Sequence, residues 1–404
     1  MKVFDFDEVI ERRGSGCIKW DEAPAADIIP MWVADMDFAV APAIQEAIRR
    51  RAAHPVFGYT LVGPDYYEAI INWFRQRHQW EIHREEILYT IGVVPAMAVA
   101  LQALTLRGEK VVILSPDYNC FFSSVHNCGC EVSESPLRRI DSTSRFEVDW
   151  EDFEQRCADE KTTVFLLCNP HNPTGRVWSA EELERMNTIC LRYGVKVVSD
   201  EIHCELVMPG HRFQPFAAVS EACRHNCVVL NSASKSFNIA GLQTANIICS
   251  QPEWRRKMDR VININEVCDL NPFGPVALIA AYNESGDWID ALNEYIWGNY
   301  KALCDFFAEE LPQCRVTTME GTYLPWVDVS PLFPLQRKDG KGTVETVEQL
   351  CDCLTANGRV WMNPGTMYGA QTGRDYIRIN IACPRSVMME GLRRMAATVK
   401  TVFQ

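Results

Sequence analysis

Five compact apolar runs constrain the fold of this chain more than any other feature. Each run is short, rich in valine or isoleucine and closed by turn residues; the runs cover residues 110–116, 162–170, 195–201, 227–235 and 244–250. Strands that are buried on both faces of a sheet have this appearance. A segment with helical character, 181–193, lies between the second and third runs. This alternation predicts an α/β layer in which helices cover a mostly parallel sheet.

The length of 404 residues favours more than one domain. We predict a large domain over 46–285 and a smaller α+β domain over 286–404. The boundary lies where the regular alternation of strand and helix signals ends. Residues 1–45 have little periodicity of their own and are predicted to pack on the small domain. The polar stretch 336–342 is predicted to be a surface loop. Further predicted elements are helices at 44–51, 95–106, 288–310 and 386–402, and strands at 322–329 and 376–381.

Composition excludes several classes of function. The chain has 40 Lys and Arg against 53 Asp and Glu, a net charge of -13. That balance argues against binding to nucleic acid or to anionic membranes, because both depend on cationic contacts. No signal-like N-terminus and no apolar stretch of about 20 residues is visible, so we expect a cytoplasmic protein. The 17 cysteines include no C-x-x-C pair, and we interpret them as buried reduced thiols without a metal site.

Two of the apolar runs end in residues that carry chemistry. Ligands of α/β sheets bind beyond the carboxyl ends of the strands. Lys235 follows the run CVVLN and is flanked by Ser232 and Ser234, so it could form a Schiff base with an aldehyde cofactor while the serines hold a phosphate. It could equally reach solvent from a strand end. Asp200 follows VKVVS and could pair with a pyridinium nitrogen, or it could cap a helix.

Four further residues occupy comparable positions. Asn172 lies in the turn NPHNPTG and could donate to a phenolate oxygen, although the segment also reads as a rigid turn. Gly92 precedes an Ala-rich helix, where backbone N–H groups favour a phosphate. Tyr118 could stack on a flat ring or simply pack in the core. Arg378 lies inside an apolar strand, where its fork suits a carboxylate; a structural ion pair is the alternative.

The joint order of these elements is more specific than any one of them. It resembles the order in fold-type I enzymes that use pyridoxal 5'-phosphate (PLP), and the chain resembles the class I/II aminotransferase family over nearly its whole length. Within that family the resemblance is strongest to the C–S β-lyases, which act on cystathionine or cysteine conjugates. The segments 30–38, 199–203 and 232–238 carry this finer match. His203 supports it, since many aminotransferases have tyrosine at that position.

The resemblance implies a role for each residue at the ring of the cofactor. Lys235 would bind the cofactor covalently and move the substrate Cα proton. Asp200 would pair with the pyridine nitrogen, and Asn172 would bond the ring oxygen with His203 in support. Tyr118 would stack on the ring and could protonate the leaving group.

It also implies how the phosphate and the substrate are held. The phosphate would lie against the backbone of Gly92, Val93 and Val94 and the hydroxyls of Ser232 and Ser234. Substrate would contact a second set of residues: Arg378 at its α-carboxylate, together with Asn172, Asp35 and Tyr59. Tyr59 is also expected to reach the phosphate of a neighbouring subunit, which implies a homodimer with active sites at the interface.

One position departs from the wider family pattern. Many relatives carry arginine eight residues after the lysine, whereas this chain has Gln243. The substitution fits the lyase branch better than the aminotransferases. The first hypothesis is therefore β-elimination from L-cystathionine or S-substituted cysteines to a thiol, pyruvate and ammonia. The alternatives are a PLP-dependent aminotransferase and a regulatory protein that uses the PLP fold to bind a protein partner.

Overall fold

The computed structural model describes residues 4–338, 340 and 342–403. Positions 339 and 341 of the predicted loop 336–342 lie outside the described residues, as do positions 1–3 and 404 of the predicted terminal segments. Within the described part, residues 335–336 and 343–344 form a short antiparallel pair at the base of that loop.

The described helices and strands alternate through most of the chain. The helices are α1 (Ile18–Asp21), α2 (Pro42–Ala52), α3 (Pro64–His78), α4 (Val93–Leu104), α5 (Asn119–Asn127), α6 (Trp150–Cys157), α7 (Ala180–Arg192), α8 (Glu221–His225), α9 (Pro252–Ile264), α10 (Gly274–Glu284), α11 (Gly286–Glu310), α12 (Val347–Cys353) and α13 (Arg385–Val402). The strands are β1 (Ile29–Pro30), β2 (Ile87–Thr90), β3 (Lys110–Ser115), β4 (Glu131–Pro136), β5 (Arg138–Ile140), β6 (Arg145–Glu147), β7 (Thr162–Cys168), β8 (Lys196–Asp200), β9 (Cys227–Asn231), β10 (Ala245–Ile248), β11 (Arg315–Val316), β12 (Trp326–Asp328), β13 (Leu335–Gln336), β14 (Thr343–Val344), β15 (Val360–Trp361), β16 (Asn363–Pro364) and β17 (Tyr376–Arg378).

A seven-stranded sheet, in the order β2-β10-β9-β8-β7-β3-β4, forms the centre of the molecule. Strands β9, β8, β7, β3 and β4 run parallel to one another, whereas β10 is antiparallel to both β2 and β9. Val164, Val198 and Val229 are fully buried, as expected for strands covered on both faces. The predicted α/β class with a mostly parallel sheet is therefore confirmed.

A second, four-stranded antiparallel sheet, in the order β11-β12-β17-β16, lies in the C-terminal part of the chain. The N-terminal segment contacts this part, because β1 pairs in parallel with β15. Asn380 also donates a hydrogen bond to the carbonyl of Asp35. The boundaries of the three proposed regions stay a prediction.

Local sequence explains where the helices near the site begin. Ser179 caps α7 and forms a reciprocal capping box with Glu182, which agrees with the helix predicted at 181–193. Helix α3 was not among the predicted elements, although Pro64 at its first turn is a common start signal. In the described part of the chain, no helix is long and apolar enough to cross a membrane.

Candidate active site

A cavity of about 290 Å³ lies at the carboxyl ends of the central strands. Its walls include eight of the residues singled out from the sequence: Gly92, Val93, Val94, Tyr118, Asn172, Asp200, His203 and Lys235. These residues follow β2, β3, β7, β8 and β9. Because parallel strands end at the same edge of a sheet, their terminal residues converge although they are far apart in sequence.

Lys235 is held at the junction between the large sheet and the N-terminal segment. Its Nζ donates a hydrogen bond of 2.6 Å to the carbonyl oxygen of Ala34. The hydroxyl of Tyr323 donates to the same oxygen at 3.0 Å. Burial lowers the pKa of Lys235, and the charge of Arg378 lowers it further, whereas Asp35 raises it. The lysine thus has an increased fraction of the neutral amine, which is the nucleophilic and basic form.

Asp200 and His203 are buried at the end of β8 and in the turn that follows it. The carboxylate of Asp200 accepts a hydrogen bond from the backbone N–H of Ile202 at 3.1 Å. Burial raises the pKa of Asp200 to about 7. Burial also lowers the pKa of His203 to about 3, so the imidazole is neutral at pH 7. The Nδ1 atom of His203 is buried and has no hydrogen-bond partner in the described chain.

Arg378 connects the small antiparallel sheet to the cavity. Its Nη1 donates to Asn172 Oδ1 at 3.2 Å, and its Nη2 donates to the carbonyl of Trp32 at 2.8 Å. The guanidinium lies 4.6 Å from the ring centroid of Tyr368. Arg378 is buried, and its Nε has no hydrogen-bond partner in the described residues. No carboxylate of the described chain forms an ion pair with this arginine, so an incoming carboxylate can neutralise it.

Tyr118 contributes a hydroxyl that stays protonated. The residue immediately precedes α5 and is half-buried in the cavity wall. Burial raises the pKa of Tyr118 well above its ordinary value. A protonated phenol in this position can stack its ring on a ligand and donate a proton.

The opposite end of the cavity is formed by the start of α4. Gly92 precedes the helix, and Val93 and Val94 are its first residues, so their N–H groups have no intrahelical acceptor. Such a helix terminus is suited to an anion. Gln243 lies in the wall beside it and places an uncharged amide where many relatives carry a cation.

The two serines form an internal contact rather than an open pair of donors. The Ser232 hydroxyl donates to the carbonyl of Thr244 at 2.6 Å and accepts the Ser234 N–H at 3.0 Å. Neither serine is part of the cavity wall described above. Their role as phosphate ligands therefore stays a prediction.

Two other predicted residues lie apart from the cavity. Asp35 pairs with Arg12 at 2.8 Å and lies 3.6 Å from the Nζ of Lys19, so its carboxylate is already neutralised within the N-terminal segment. Tyr59 has 95% of its side-chain surface exposed and takes no part in the cavity of its own chain. Its predicted contact with a second subunit is not tested by a single chain.

The structure also places residues at the site that sequence reasoning missed. Ala34 and Cys168 line the cavity, and Tyr323 donates to the carbonyl of Ala34. Ala34 lies within the segment 30–38, and Cys168 lies immediately before the Asn-Pro turn, so the sequence around both residues pointed to the site. Nothing in the local sequence distinguishes Tyr323 from a core residue.

The polar groups of this cavity fit PLP. A half-buried lysine, an imidazole nitrogen without a hydrogen-bond partner in the described residues, and a buried acid with a raised pKa surround the same space. Lys235 would hold the aldehyde carbon, Asp200 the ring nitrogen, and Asn172 with His203 the ring oxygen side. The start of α4 would hold the phosphate. A volume of about 290 Å³ is close to the lower end of the range for small-molecule sites.

Replacing Arg378 with lysine should weaken the binding of any amino-acid substrate. Lysine keeps the positive charge but lacks the planar guanidinium. The guanidinium bonds Asn172 and the carbonyl of Trp32, and its shape also suits a substrate carboxylate. We expect KM to rise about tenfold to a hundredfold, with a smaller change in kcat, as measured by steady-state kinetics. Arg385→Lys, at the start of α13, is the control and should leave KM within about twofold. An unchanged KM in Arg378→Lys would contradict the assignment.

Comparisons with known proteins agree with this geometry. Residues 26–395 match the family described as aminotransferase class I and II. The cystathionine beta-lyase PatB of Bacillus subtilis is 37% identical over 98% of this chain and 100% of its own length. Cystalysin from Treponema denticola, solved with a PLP cofactor, has a TM-score of 0.92 and 30% identity, with 99% of each chain covered.

A C–S lyase of Staphylococcus hominis, solved with bound PLP, has a TM-score of 0.89 and 32% identity over 98% of this chain and 99% of its own. These findings confirm three predictions made from the sequence, namely the fold type, the cofactor and the enzyme class. The chain belongs to the class I and II aminotransferase family, within its group of PLP-dependent carbon–sulfur lyases.

Proposed function

We propose that this enzyme catalyses α,β-elimination from L-cystathionine or S-substituted L-cysteines. The thiol leaves, and one water molecule hydrolyses the released aminoacrylate to pyruvate and ammonia. The observation that carries the proposal is the convergence of Lys235, Asp200 and Asn172 on one cavity, with Arg378 hydrogen-bonded to Asn172 at its wall. The names of the similar proteins, among them the cystathionine beta-lyase PatB, support the choice of sulfur substrates. The site residues themselves serve an aminotransferase equally well.

Arg378 and Asn172 orient the substrate. The guanidinium would bind the α-carboxylate with the donors that now face Asn172 Oδ1 and the carbonyl of Trp32. This contact fixes which bond at Cα stands next to Lys235. Ala34 of the N-terminal segment forms part of the wall beside this contact.

Proton movement depends on Lys235 and Tyr118. PLP, when bound, supplies an electron sink that stabilises negative charge at the substrate Cα. Lys235 Nζ, whose pKa burial lowers, takes the Cα proton. Asp200, buried at the end of β8, would hold the proton on the ring nitrogen. Tyr118, whose hydroxyl stays protonated, is placed to give a proton to the departing sulfur.

The products distinguish elimination from transamination. Purified enzyme is incubated with L-cystathionine, and thiol, pyruvate and ammonia are quantified in the same samples. We expect the three products in equal amounts. An aminotransferase would release no ammonia, and its turnover would depend on an added keto acid.

We also propose that the enzyme acts as a homodimer in which Tyr59 completes the site of the partner. Support comes from an apolar surface around this residue, since Val56, Phe57 and Leu61 are exposed as well. Contiguous exposed apolar residues are typical of protein interfaces. The expected particle has twice the chain mass of 46.0 kDa.

Tyr59→Phe tests this arrangement, because it removes only the hydroxyl. A hydrogen bond to a charged group contributes about 1.5–3 kcal/mol, so we expect PLP affinity to fall about tenfold or more. Affinity is measured by titrating the cofactor-free protein with PLP. Tyr193→Phe, on the end of α7, is the control. A monomer in sedimentation analysis with unchanged PLP affinity in Tyr59→Phe would contradict the proposal.

A cytoplasmic location is proposed as well. The described chain shows no disulfide, and twelve of the 17 cysteines are buried. Many cysteines without disulfides are typical of reducing compartments.

A further inference from the structure

Asp117 and His171 form a buried pair behind the active-site cavity, and the proposed mechanism does not use it. Asp117 follows β3, and His171 follows the neighbouring strand β7. Both side chains are fully buried. Their neighbours along the chain are Tyr118 and Asn172, which line the cavity. Burying charged groups costs free energy unless they are paired. The burial of these two groups therefore suggests that they have a role in the site.

Asp117 is fixed from two sides. Its N–H donates to the carbonyl of Tyr368 at 2.7 Å, and its Oδ1 accepts the N–H of Tyr118 at 2.7 Å. Its Oδ2 has no hydrogen-bond partner in the described chain and lies 3.6 Å from Nε2 of His171. The carboxylate therefore orients the backbone at Tyr118, and its second oxygen faces the imidazole.

The contacts of His171 determine which ring nitrogen carries a proton. Nε2 lies 3.2 Å from the carbonyl oxygen of Leu114, which can only accept, so Nε2 is protonated. Nδ1 contacts the hydroxyl of Thr174 at 2.8 Å. The imidazole thus presents an N–H edge toward the Asp117 carboxylate and is held at both nitrogens. This fixes the start of the turn that presents Asn172.

The pair lies next to Asp200 through the register of the strands. Cys168, at the end of β7, pairs with Asp200 at the end of β8, and the N–H of Asn169 donates to the Asp200 carbonyl at 2.9 Å. The titratable groups around Asp117 are His171, Cys168 and Asp200, with Lys235 beyond Asp200. Burial chiefly raises the pKa of Asp200, and the charge of Asp117 raises it further.

We propose that Asp117 and His171 act as one positioning unit, which fixes Tyr118 and Asn172 in the cavity wall and places a second carboxylate behind Asp200. The extra negative charge strengthens proton retention on the bound ring. This inference rests on the proposed function for its kinetic consequences. Its spectroscopic consequence requires only bound PLP.

Asp117→Asn tests the charge while keeping the shape and the acceptor for the Tyr118 N–H. The measurement is the pH midpoint of the visible absorbance change of the bound cofactor. Removing a nearby negative charge disfavours the protonated form, so the midpoint should fall by about half a pH unit or more. We also expect kcat to fall about tenfold, with KM within about twofold.

Glu201→Gln is the matched control. Glu201 is a fully buried acid next in sequence to Asp200, and it bonds Ser199 and the N–H of Phe216. Burial raises the pKa of Glu201 to about 8, so glutamine removes little negative charge below that pH and should leave the midpoint within about 0.2 pH units. An equal shift in both variants would show a general effect of losing a buried acid and would overturn the proposal.

His171→Gln provides a second test, because it leaves every carboxylate in place. It also keeps the proposal testable if Asp117→Asn does not fold. We expect a loss of kcat comparable to that of Asp117→Asn, and the variant that carries both substitutions should be no slower than either single variant. Multiplying losses, or a wild-type rate in His171→Gln, would contradict the pairing. If no elimination occurs in any form of the enzyme, the proposed function fails, whereas the absorbance titration still tests the pair.

Discussion

Replacing Lys235 with alanine is expected to abolish sustained pyruvate formation from L-cystathionine, with a loss of about 10⁴-fold or more. In the proposed mechanism the amine both holds the cofactor and moves the Cα proton, and a positioned proton-transfer group alone contributes about 10²–10⁴-fold. The visible band of the cofactor bound to lysine should disappear as well. The substitution removes the hydrogen bond from Nζ to the carbonyl of Ala34, but that oxygen keeps the Tyr323 hydroxyl as a donor.

The control for this substitution is Lys196→Ala. Lys196 lies at the opposite end of the strand that terminates in Asp200, and burial lowers its pKa too. It should retain the chromophore and at least about half of the activity, because it is remote from the cavity. A chromophore and sustained turnover in Lys235→Ala would remove the lysine from the mechanism.

Asp200→Asn should produce the second largest effect. The carboxylate is buried and is expected to hold the proton on the ring nitrogen. Removing one partner of a buried ion pair costs about 3–5 kcal/mol, which corresponds to a loss of about 10²- to 5 × 10³-fold in kcat. Steady-state kinetics with saturating PLP separates this loss from weaker cofactor binding.

Glu201, the next residue in the chain, provides the control for Asp200→Asn. Glu201→Gln removes a carboxyl that is equally buried but bonds Ser199 and Phe216 instead of facing the cavity. We expect it to keep kcat within about threefold of the wild type. Equal losses in the two variants would mean that Asp200 has no specific role at the ring.

Residues at strand ends could be predicted from the sequence, because the parallel sheet itself brings them together. Asp200, Asn172 and Lys235 each follow an apolar run, and the structure gathers all three around one cavity. The order of these residues along the chain then identified the family. The antiparallel direction of β10 was not foreseen, because a run such as 244–250 reads the same in either direction.

Contacts between distant segments could not be predicted in the same way. Ala34 receives Lys235 from 201 residues away and Tyr323 from 289 residues away. No local pattern encodes such pairs, since they depend on how the N-terminal segment packs between the two sheets. Asp35 is an example. The segment 30–38 suggested that it contacts substrate, but that segment does not reveal the ion pair that Asp35 forms with Arg12.

The most direct test of β-elimination is the number of pyruvate molecules formed per active site from L-cystathionine without any keto acid. A lactate dehydrogenase coupled assay follows the product over time. β-Elimination predicts many turnovers at a constant rate, with ammonia released in equal amount. At most one pyruvate per site would contradict sustained β-elimination, and consumption of L-cystathionine that needs an added keto acid and leaves the C–S bond intact would identify an aminotransferase.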